Sequence, residues 1–194
     1  MIAAGGDMQI DRFLVPLVAR LPGWVTPNRI TVLRGLMLVP IVLVYPTHPL
    51  VAGWCFYVPA MLFDVVDGAL ARHRGISSEN GALLDATVDK VLLHGLVWLS
   101  LLPHVGILLA VLLAGLDLAL TGIRPLKRWR GRSLEANVFG KAKTIVMAFG
   151  VGWIVSDVPI WMSGGIVLLW VTVGLAVLSL VAHIGDFFGK RDAS

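Results

Sequence analysis

Six long apolar segments dominate this 194-residue chain and limit what it can fold into. A helix that crosses the hydrocarbon core of a bilayer needs about 20 predominantly apolar residues. Prolines punctuate the turns between the segments, which cover roughly residues 30–45, 50–71, 82–102, 105–124, 138–155 and 164–187. The mean hydropathy of +0.85 and a charged fraction of only 14% agree with this pattern. The sequence therefore predicts an all-α integral membrane protein with six transmembrane helices.

The segment before these spans has an amphipathic pattern. Its apolar residues Ile10, Phe13 and Leu17 follow helical spacing, and most of its charged residues fall elsewhere on the helical wheel. This pattern favours a helix that lies in the membrane interface over a disordered tail. We expect an N-terminal interfacial segment at residues 1–29 and a six-helix membrane domain at residues 30–190.

The distribution of Lys and Arg indicates how the chain crosses the membrane. With six spans and a cytoplasmic N-terminus, the outer turns contain no Lys or Arg, and all 16 basic residues fall on the cytoplasmic side. The run "RPLKRWRGR" at residues 124–132 is a natural partner for an anionic lipid surface. The pI near 9.6 therefore reflects membrane topology rather than nucleic-acid binding. We expect a bacterial-type inner (cytoplasmic) membrane protein, with both termini and the active site on the cytoplasmic side.

Four aspartates interrupt the apolar pattern where the second segment ends and the third begins. Asp64 and Asp67 are three residues apart, and Asp85 and Asp89 are four apart, so each pair occupies one helix face. Four carboxylates at close range cannot all stay ionised without partners, so either several are protonated or cations neutralise them. Hard oxygen ligands suit Mg²⁺ or Mn²⁺. Two such ions would balance the four charges and form a clamp for displacement at phosphorus.

Small residues and one cation accompany these acids. Gly68 follows Asp67 directly, Ala71 and Arg72 lie one turn further, and Gly81 opens the next helix. Small residues allow a ligand or another helix to approach the backbone, and an arginine can meet a phosphate. The combination points to a nucleotide diphosphate ligand, although packing contacts and solvated interfacial charges are the alternative for each residue alone.

The complete pattern resembles the signature of the CDP-alcohol phosphatidyltransferases at all eight fixed positions, which here are Asp64, Asp67, Gly68, Ala71, Arg72, Gly81, Asp85 and Asp89. The resemblance implies a membrane enzyme of phospholipid biosynthesis. Such an enzyme moves a phosphatidyl group from CDP-diacylglycerol to an alcohol and releases CMP.

The same resemblance implies a role for each position of the signature. Asp64, Asp67 and Asp85 would bind two metal ions, Mg²⁺ or Mn²⁺. Asp89 would complete the second metal site and act as the catalytic base on the acceptor hydroxyl. The cytidine diphosphate would be bound by the remaining four positions, Gly68, Ala71, Arg72 and Gly81. Homodimers occur in this family, so a homodimer is expected.

Three further stretches resemble the phosphatidylglycerophosphate synthase branch of the family, whose acceptor is glycerol 3-phosphate. They are "PNRITVLRG" at residues 27–35, "TGIR" at residues 121–124 and "GKAKT" at residues 140–144. The resemblance implies that an acceptor phosphate is held by Arg124, Lys141 and Lys143.

One departure from that branch leaves the acceptor open. Leu116 and Asp117 stand where an Arg-Glu pair is usual, so an expected phosphate-binding arginine is absent. Arg34 could substitute for it, or the acceptor could be inositol phosphate or phosphatidylglycerol. Asp117 is either a polar contact inside the bundle or a partner of an acceptor hydroxyl. An ion or proton transporter that uses the aspartates as a relay is the alternative from a different functional class.

Overall fold

The computed structural model describes residues 14–76, 78–129 and 138–188, which contain helices, turns and loops but no strand. The helices are α1 (Pro27–Leu36), α2 (Leu38–Val44), α3 (Pro49–Val51), a π-helical turn (Ala52–Tyr57), α4 (Val58–Arg74), α5 (Glu79–Leu99), α6 (Leu102–Val105), α7 (Ile107–Trp129), α8 (Val138–Val155) and α9 (Pro159–Phe188). The prediction of an all-α protein is confirmed for this part of the chain.

Four helical stretches are long and apolar enough to cross a membrane, namely Pro27–Val44, Pro49–Arg74, Val138–Val155 and Pro159–Gly185. They correspond to the first, second, fifth and sixth predicted spans. Many of their large apolar side chains remain exposed, for example Leu43 at 72% and Ile160 at 80%. Such surfaces suit contact with lipid tails, so these helices are consistent with an integral membrane protein.

The other two predicted spans are helical, but they do not meet the same standard of length and composition. The third corresponds to α5, which carries Glu79, Asp85, Asp89 and Lys90 and is therefore more charged than a typical span. The fourth corresponds to α7, whose apolar part, Ile107–Ile123, is shorter than the four stretches above. Six crossings therefore stay a prediction.

The chain divides into two compact units, Met1–Gly95 and Leu96–Ser194. In the first unit residues 14–18 are helical, and Val18 packs in an apolar cluster with Ile30 and Leu70. The first part of the predicted interfacial segment, residues 1–13, lies outside the described residues. That helix and the domain boundary after residue 29 stay predictions.

Within the first unit α1 packs against α4, and α2 packs against the π-helical turn. Helix α5 comes close to α1 at Gly35, where an added β-carbon would lie 3.2 Å from Val88 Cγ1. The absence of a side chain at Gly35 therefore allows two site-bearing helices to approach each other.

A tight turn ends α4 and leads into α5. Gly75 adopts the left-handed conformation with φ of 62°, which glycine enters without steric cost. The Ile76 amide then donates to the Ala71 carbonyl at 3.1 Å, as is usual where a glycine ends a helix. Arg74 donates to the carbonyl oxygens of Leu21 at 2.8 Å and Val25 at 2.5 Å. These bonds tie the end of α4 to the segment that precedes α1.

The π-helical turn Ala52–Tyr57 is followed by Val58 and then Pro59. Proline has no amide hydrogen and its ring collides with the carbonyl four residues earlier, so an ordinary α-helical turn is unfavourable here. A π turn holds one residue more than an α turn and relieves that crowding. The apolar stretch Pro49–Arg74 can therefore continue through the proline.

Within the second unit α9 packs against α8 and α7. Helices α8 and α9 approach each other closely at two glycines, because a β-carbon added to Gly165 would lie 2.7 Å from the Gly150 carbonyl oxygen. Small residues at such a crossing are typical of helices that pack in membranes.

Candidate functional site

Three of the four predicted metal ligands converge in the first unit. Asp64 and Asp67 lie on α4 and Asp85 lies on α5, and one carboxylate oxygen from each lies within 4.8 Å of the others. Three hard oxygen donors at this separation fit a divalent cation such as Mg²⁺ or Mn²⁺. The spacings predicted from the sequence thus bring these carboxylates together across two helices.

The fourth aspartate joins the cluster through an arginine. Arg34 on α1 has a fully buried side chain, and its Nη2 lies 3.0 Å from Asp89 Oδ1 and 2.7 Å from Asp85 Oδ1. Its Nη1 forms an ion pair with Asp64. One guanidinium therefore contacts three of the four carboxylates and bridges α4 and α5.

This placement changes the interpretation of Arg34. The sequence predicted it as an acceptor-binding residue, but its side chain has no exposed surface and both terminal nitrogens contact aspartates. Its Nε is buried and has no hydrogen-bond partner among the described residues. The structure thus gives Arg34 carboxylate partners inside the protein, because α1 inserts it between the two acidic helices.

The remaining ligand, Asp67, has a different environment. Only 5% of this residue is exposed, and Thr31 Oγ1 lies 2.8 Å from Asp67 Oδ2. The same hydroxyl lies 3.1 Å from the Pro27 carbonyl, but with one proton it favours the shorter contact with the charged oxygen. Asp67 is therefore oriented by a hydroxyl, whereas the other three carboxylates face the guanidinium.

An open pocket of about 190 Å³ adjoins the acidic cluster. All four residues predicted to bind the cytidine diphosphate line it, as do two of the aspartates; the lining residues are Pro27, Asn28, Thr31, Asp67, Gly68, Ala71, Arg72, Ile76, Ser78, Gly81, Ala82 and Asp85. A side chain at Gly81 would meet Ser78 Oγ at 3.1 Å and Asn28 Oδ1 at 3.3 Å. Glycine at this position therefore keeps the pocket open.

The predicted acceptor residues lie in the second unit. Arg124 is on α7 and Lys141 is exposed on α8. Lys143 is also on α8, and its ammonium forms an ion pair with Asp117 of α7. Asp117 is only 8% exposed, which favours the polar contact inside the bundle among its two predicted roles.

Three polar residues that line the pocket are not indicated by the sequence motifs. Thr31 and Asn28 were not singled out, and neither was Ser78, although all three line the pocket. Thr31 and Arg34 are three residues apart in "PNRITVLRG", so helical spacing alone places them on one face of α1. That face carries the polar residues which meet the aspartates.

Comparison with known proteins identifies the family. The sequence profile described as "CDP-alcohol phosphatidyltransferase" matches residues 24–179. The chain belongs to the CDP-alcohol phosphatidyltransferase family. Members of this family are membrane transferases of phospholipid biosynthesis, so the prediction of an enzyme of this class is confirmed and the transporter alternative loses its support.

Two kinds of relative stand out among similar proteins. A probable phosphatidylglycerophosphate synthase of Mycobacterium tuberculosis is 31% identical over 172 residues, which cover 84% of this chain and 79% of that protein. A phosphatidylinositol phosphate synthase of Mycobacterium bovis is 40% identical, but only over 78 residues, or 38% of this chain and 36% of that protein. The first match covers more of the chain, whereas the second has a higher percentage identity over a shorter stretch.

A solved structure supports the family fold. The crystal structure of the Mycobacterium tuberculosis phosphatidylinositol phosphate synthase with CDP-DAG bound has a TM-score of 0.61 and 23% identity, and the match covers 97% of this phosphatidyltransferase and 96% of that chain. The same enzyme has also been crystallised in complex with manganese and citrate. At this level of identity the likeness establishes the shared fold.

Proposed function

We propose that this protein transfers the phosphatidyl group of CDP-diacylglycerol to glycerol 3-phosphate, which yields phosphatidylglycerophosphate and CMP. One observation carries the proposal: three carboxylates within 4.8 Å of one another adjoin a pocket that all four predicted diphosphate-binding residues line. Metal ligands and a surface for a diphosphate thus lie side by side in one unit of the chain.

The proposed reaction is a displacement at phosphorus. The acceptor hydroxyl oxygen forms a bond to the phosphorus of the phosphatidyl group, and the bond from that phosphorus to the CMP oxygen breaks. Asp89 takes the hydroxyl proton as general base, and Arg72 at the pocket wall meets the diphosphate. Divalent ions, held by Asp64, Asp67, Asp85 and Asp89, would supply stabilisation of negative charge on the phosphoryl oxygens and the leaving CMP.

Glycerol 3-phosphate is the favoured acceptor because a relative that is 31% identical over 84% of the chain is named a probable phosphatidylglycerophosphate synthase. The alternative acceptor is inositol phosphate, which the local likeness to a phosphatidylinositol phosphate synthase favours. Lys143 already pairs with Asp117. We therefore assign the acceptor phosphate mainly to Arg124 and Lys141, with Lys143 as a third candidate.

The membrane arrangement is part of the proposal. We propose six crossings, with α5 and α7 included, an interfacial helix within residues 1–29, a homodimer, and both termini and the aspartates on the cytoplasmic side. Single-cysteine labelling in a Cys55→Ser background tests the sidedness. A cysteine at Thr47 should react from outside intact cells and one at Glu79 should not. The opposite pattern would invert the topology.

The activity is tested with purified protein, CDP-diacylglycerol and Mg²⁺ or Mn²⁺. Glycerol 3-phosphate, inositol phosphate and phosphatidylglycerol are supplied separately, CMP is quantified and the lipid product is identified by mass spectrometry. We expect CMP release with glycerol 3-phosphate and loss of release with EDTA. Product with inositol phosphate instead would move the enzyme to the other branch, and release that EDTA does not affect would refute the metal-dependent mechanism.

A further inference from the structure

Arg34 is a fixed positive charge inside the site that is proposed to bind divalent cations. Its side chain is fully buried, and its terminal nitrogens contact Asp64, Asp85 and Asp89, which are 43%, 41% and 26% exposed. The cation thus lies on the protein side of the cluster, while the carboxylates retain surface that a ligand can reach. The guanidinium is always protonated at physiological pH, so its charge does not depend on conditions.

The formal charges show what this arginine does to metal binding. Four carboxylates and one guanidinium leave three negative charges, so one divalent ion leaves one negative charge and a second ion makes the cluster positive. Without the guanidinium the same two ions would bring the four carboxylates to neutrality. At separations of a few ångströms one unit charge changes the binding of another ion strongly, even with partial screening. Arg34 therefore weakens the binding of each ion, and the second ion becomes the critical one because it meets a net charge of only −1 instead of −2.

The geometry also gives Arg34 a positioning role. Nη1 pairs with Asp64 on α4, whereas Nη2 meets Asp85 and Asp89 on α5 and also the Asp85 carbonyl oxygen at 3.3 Å. A planar fork can hold two helices in this way, whereas a lysine ammonium is a single point of attachment. The fork therefore keeps mutually repelling carboxylates together before any metal ion binds.

We propose that Arg34 is a resident counter-ion which replaces the second divalent ion until substrate arrives. In this scheme the free protein binds one divalent ion firmly, and the diphosphate of the substrate supplies the negative charge that allows the second ion to bind. Metal loading and binding of the nucleotide diphosphate are thereby coupled. This inference rests on the proposed function, because it assumes that the aspartates bind divalent ions.

The experiment measures Mn²⁺ binding to the purified full chain by electron paramagnetic resonance, with soluble CDP as the diphosphate probe. The proteins are wild type, Arg34→Gln, Arg34→Lys and a matched control, Arg29→Gln. Arg29 lies on the same helix, and its Nη1 donates to the Trp24 carbonyl at 2.7 Å on the exposed surface. Mn²⁺ bound by CDP in protein-free solution is subtracted.

We expect wild type and Arg29→Gln to bind one Mn²⁺ firmly without CDP and two with it. Arg34→Gln should bind two ions in both conditions, the second about tenfold more tightly than wild type without CDP. Arg34→Lys keeps the charge and should retain the dependence on CDP. In EDTA, Arg34→Gln and Arg34→Lys should both unfold at a lower temperature than Arg29→Gln, because each has lost the fork.

The outcomes separate this inference from the proposed function. Two firmly bound ions in wild type without CDP, or equal or weaker binding in Arg34→Gln, would overturn the counter-ion role while leaving the metal site intact. No saturable Mn²⁺ binding to wild type would instead refute the metal site itself. If Arg34→Gln does not give a monodisperse protein, Arg34→Lys decides the question: binding that no longer depends on CDP would overturn the proposal.

Discussion

The two units of the chain each contain an ion pair between helices, and the pairs differ in charge balance. In the first unit one guanidinium contacts three carboxylates, so negative charge remains in excess. In the second unit the Lys143 ammonium pairs with Asp117, and their side chains are only 13% and 10% exposed. An excess of carboxylates attracts further cations, whereas a matched pair is complete in itself. The comparison distinguishes the proposed metal site from an ion pair that joins two helices of the second unit.

The largest effect on activity is expected when one carboxylate is removed from the acidic cluster of the first unit. Asp85→Asn removes a proposed metal ligand that also pairs with Arg34, so CMP release should fall below detection. Glu79→Gln, on the same helix but outside the metal cluster, is the matched control and should keep its activity. Activity of Asp85→Asn near that of the control would show that the cluster is not a catalytic metal site.

The proposed base should give the next largest effect. Asp89→Asn should lower kcat by about 10²- to 10⁴-fold, the usual contribution of general base catalysis, while binding of CDP-diacylglycerol stays largely intact. Steady-state kinetics and a separate lipid-binding measurement check this prediction. Unchanged kcat would remove Asp89 as the base.

Substitutions in the Lys143–Asp117 pair of the second unit should lower the free energy of unfolding. Lys143→Met removes the ammonium that pairs with the buried carboxylate of Asp117, and breaking a buried ion pair costs about 3–5 kcal/mol. Replacing both residues, as Asp117→Asn with Lys143→Met, should recover much of that loss. Denaturant unfolding in detergent, analysed as a double-mutant cycle, measures the coupling. Additive effects would mean that the two residues do not stabilise each other.

The smallest effect is expected from removing the exposed ammonium of Lys141. Lys141→Ala should raise the KM for glycerol 3-phosphate by about tenfold or somewhat more, in line with the loss of one charge-assisted hydrogen bond, with little change in kcat. Lys90→Ala on α5 provides a comparison for the loss of a positive charge elsewhere. An unchanged KM would favour an acceptor without a phosphate, such as phosphatidylglycerol.

The sequence predicted well those features that depend on local spacing. Asp64 and Asp67 share a helix face because they are three residues apart, and Asp85 lies close to them because a short loop joins the two helices. Gly68 and Gly81 line the pocket for the same reason. In each case the pattern of residues on consecutive helices was sufficient.

Contacts between distant residues could not be predicted in the same way. Arg34 is separated from Asp64 by 30 positions and from Asp85 by 51. Its partners depend on how α1 packs, and the periodicity of a single helix does not specify that. The pairing of Lys143 with Asp117 spans 26 positions and was missed for the same reason. Charge in α5 also explains why this helix does not meet the length and composition standard of the four long apolar stretches, although the sequence pattern predicts a span there.

The π-helical turn Ala52–Tyr57 determines how this helix tolerates changes in length. A wide turn of this kind contains one residue beyond α-helical geometry, so losing a single residue there leaves both flanks facing as before but brings the Pro59 ring against a carbonyl of an ordinary turn. The same deletion between Asp64 and Asp67 would rotate the following residues by about 100° and turn Asp67 away from Thr31. A one-residue deletion therefore has a local cost at one end of the helix, whereas at the other end it is incompatible with the proposed function.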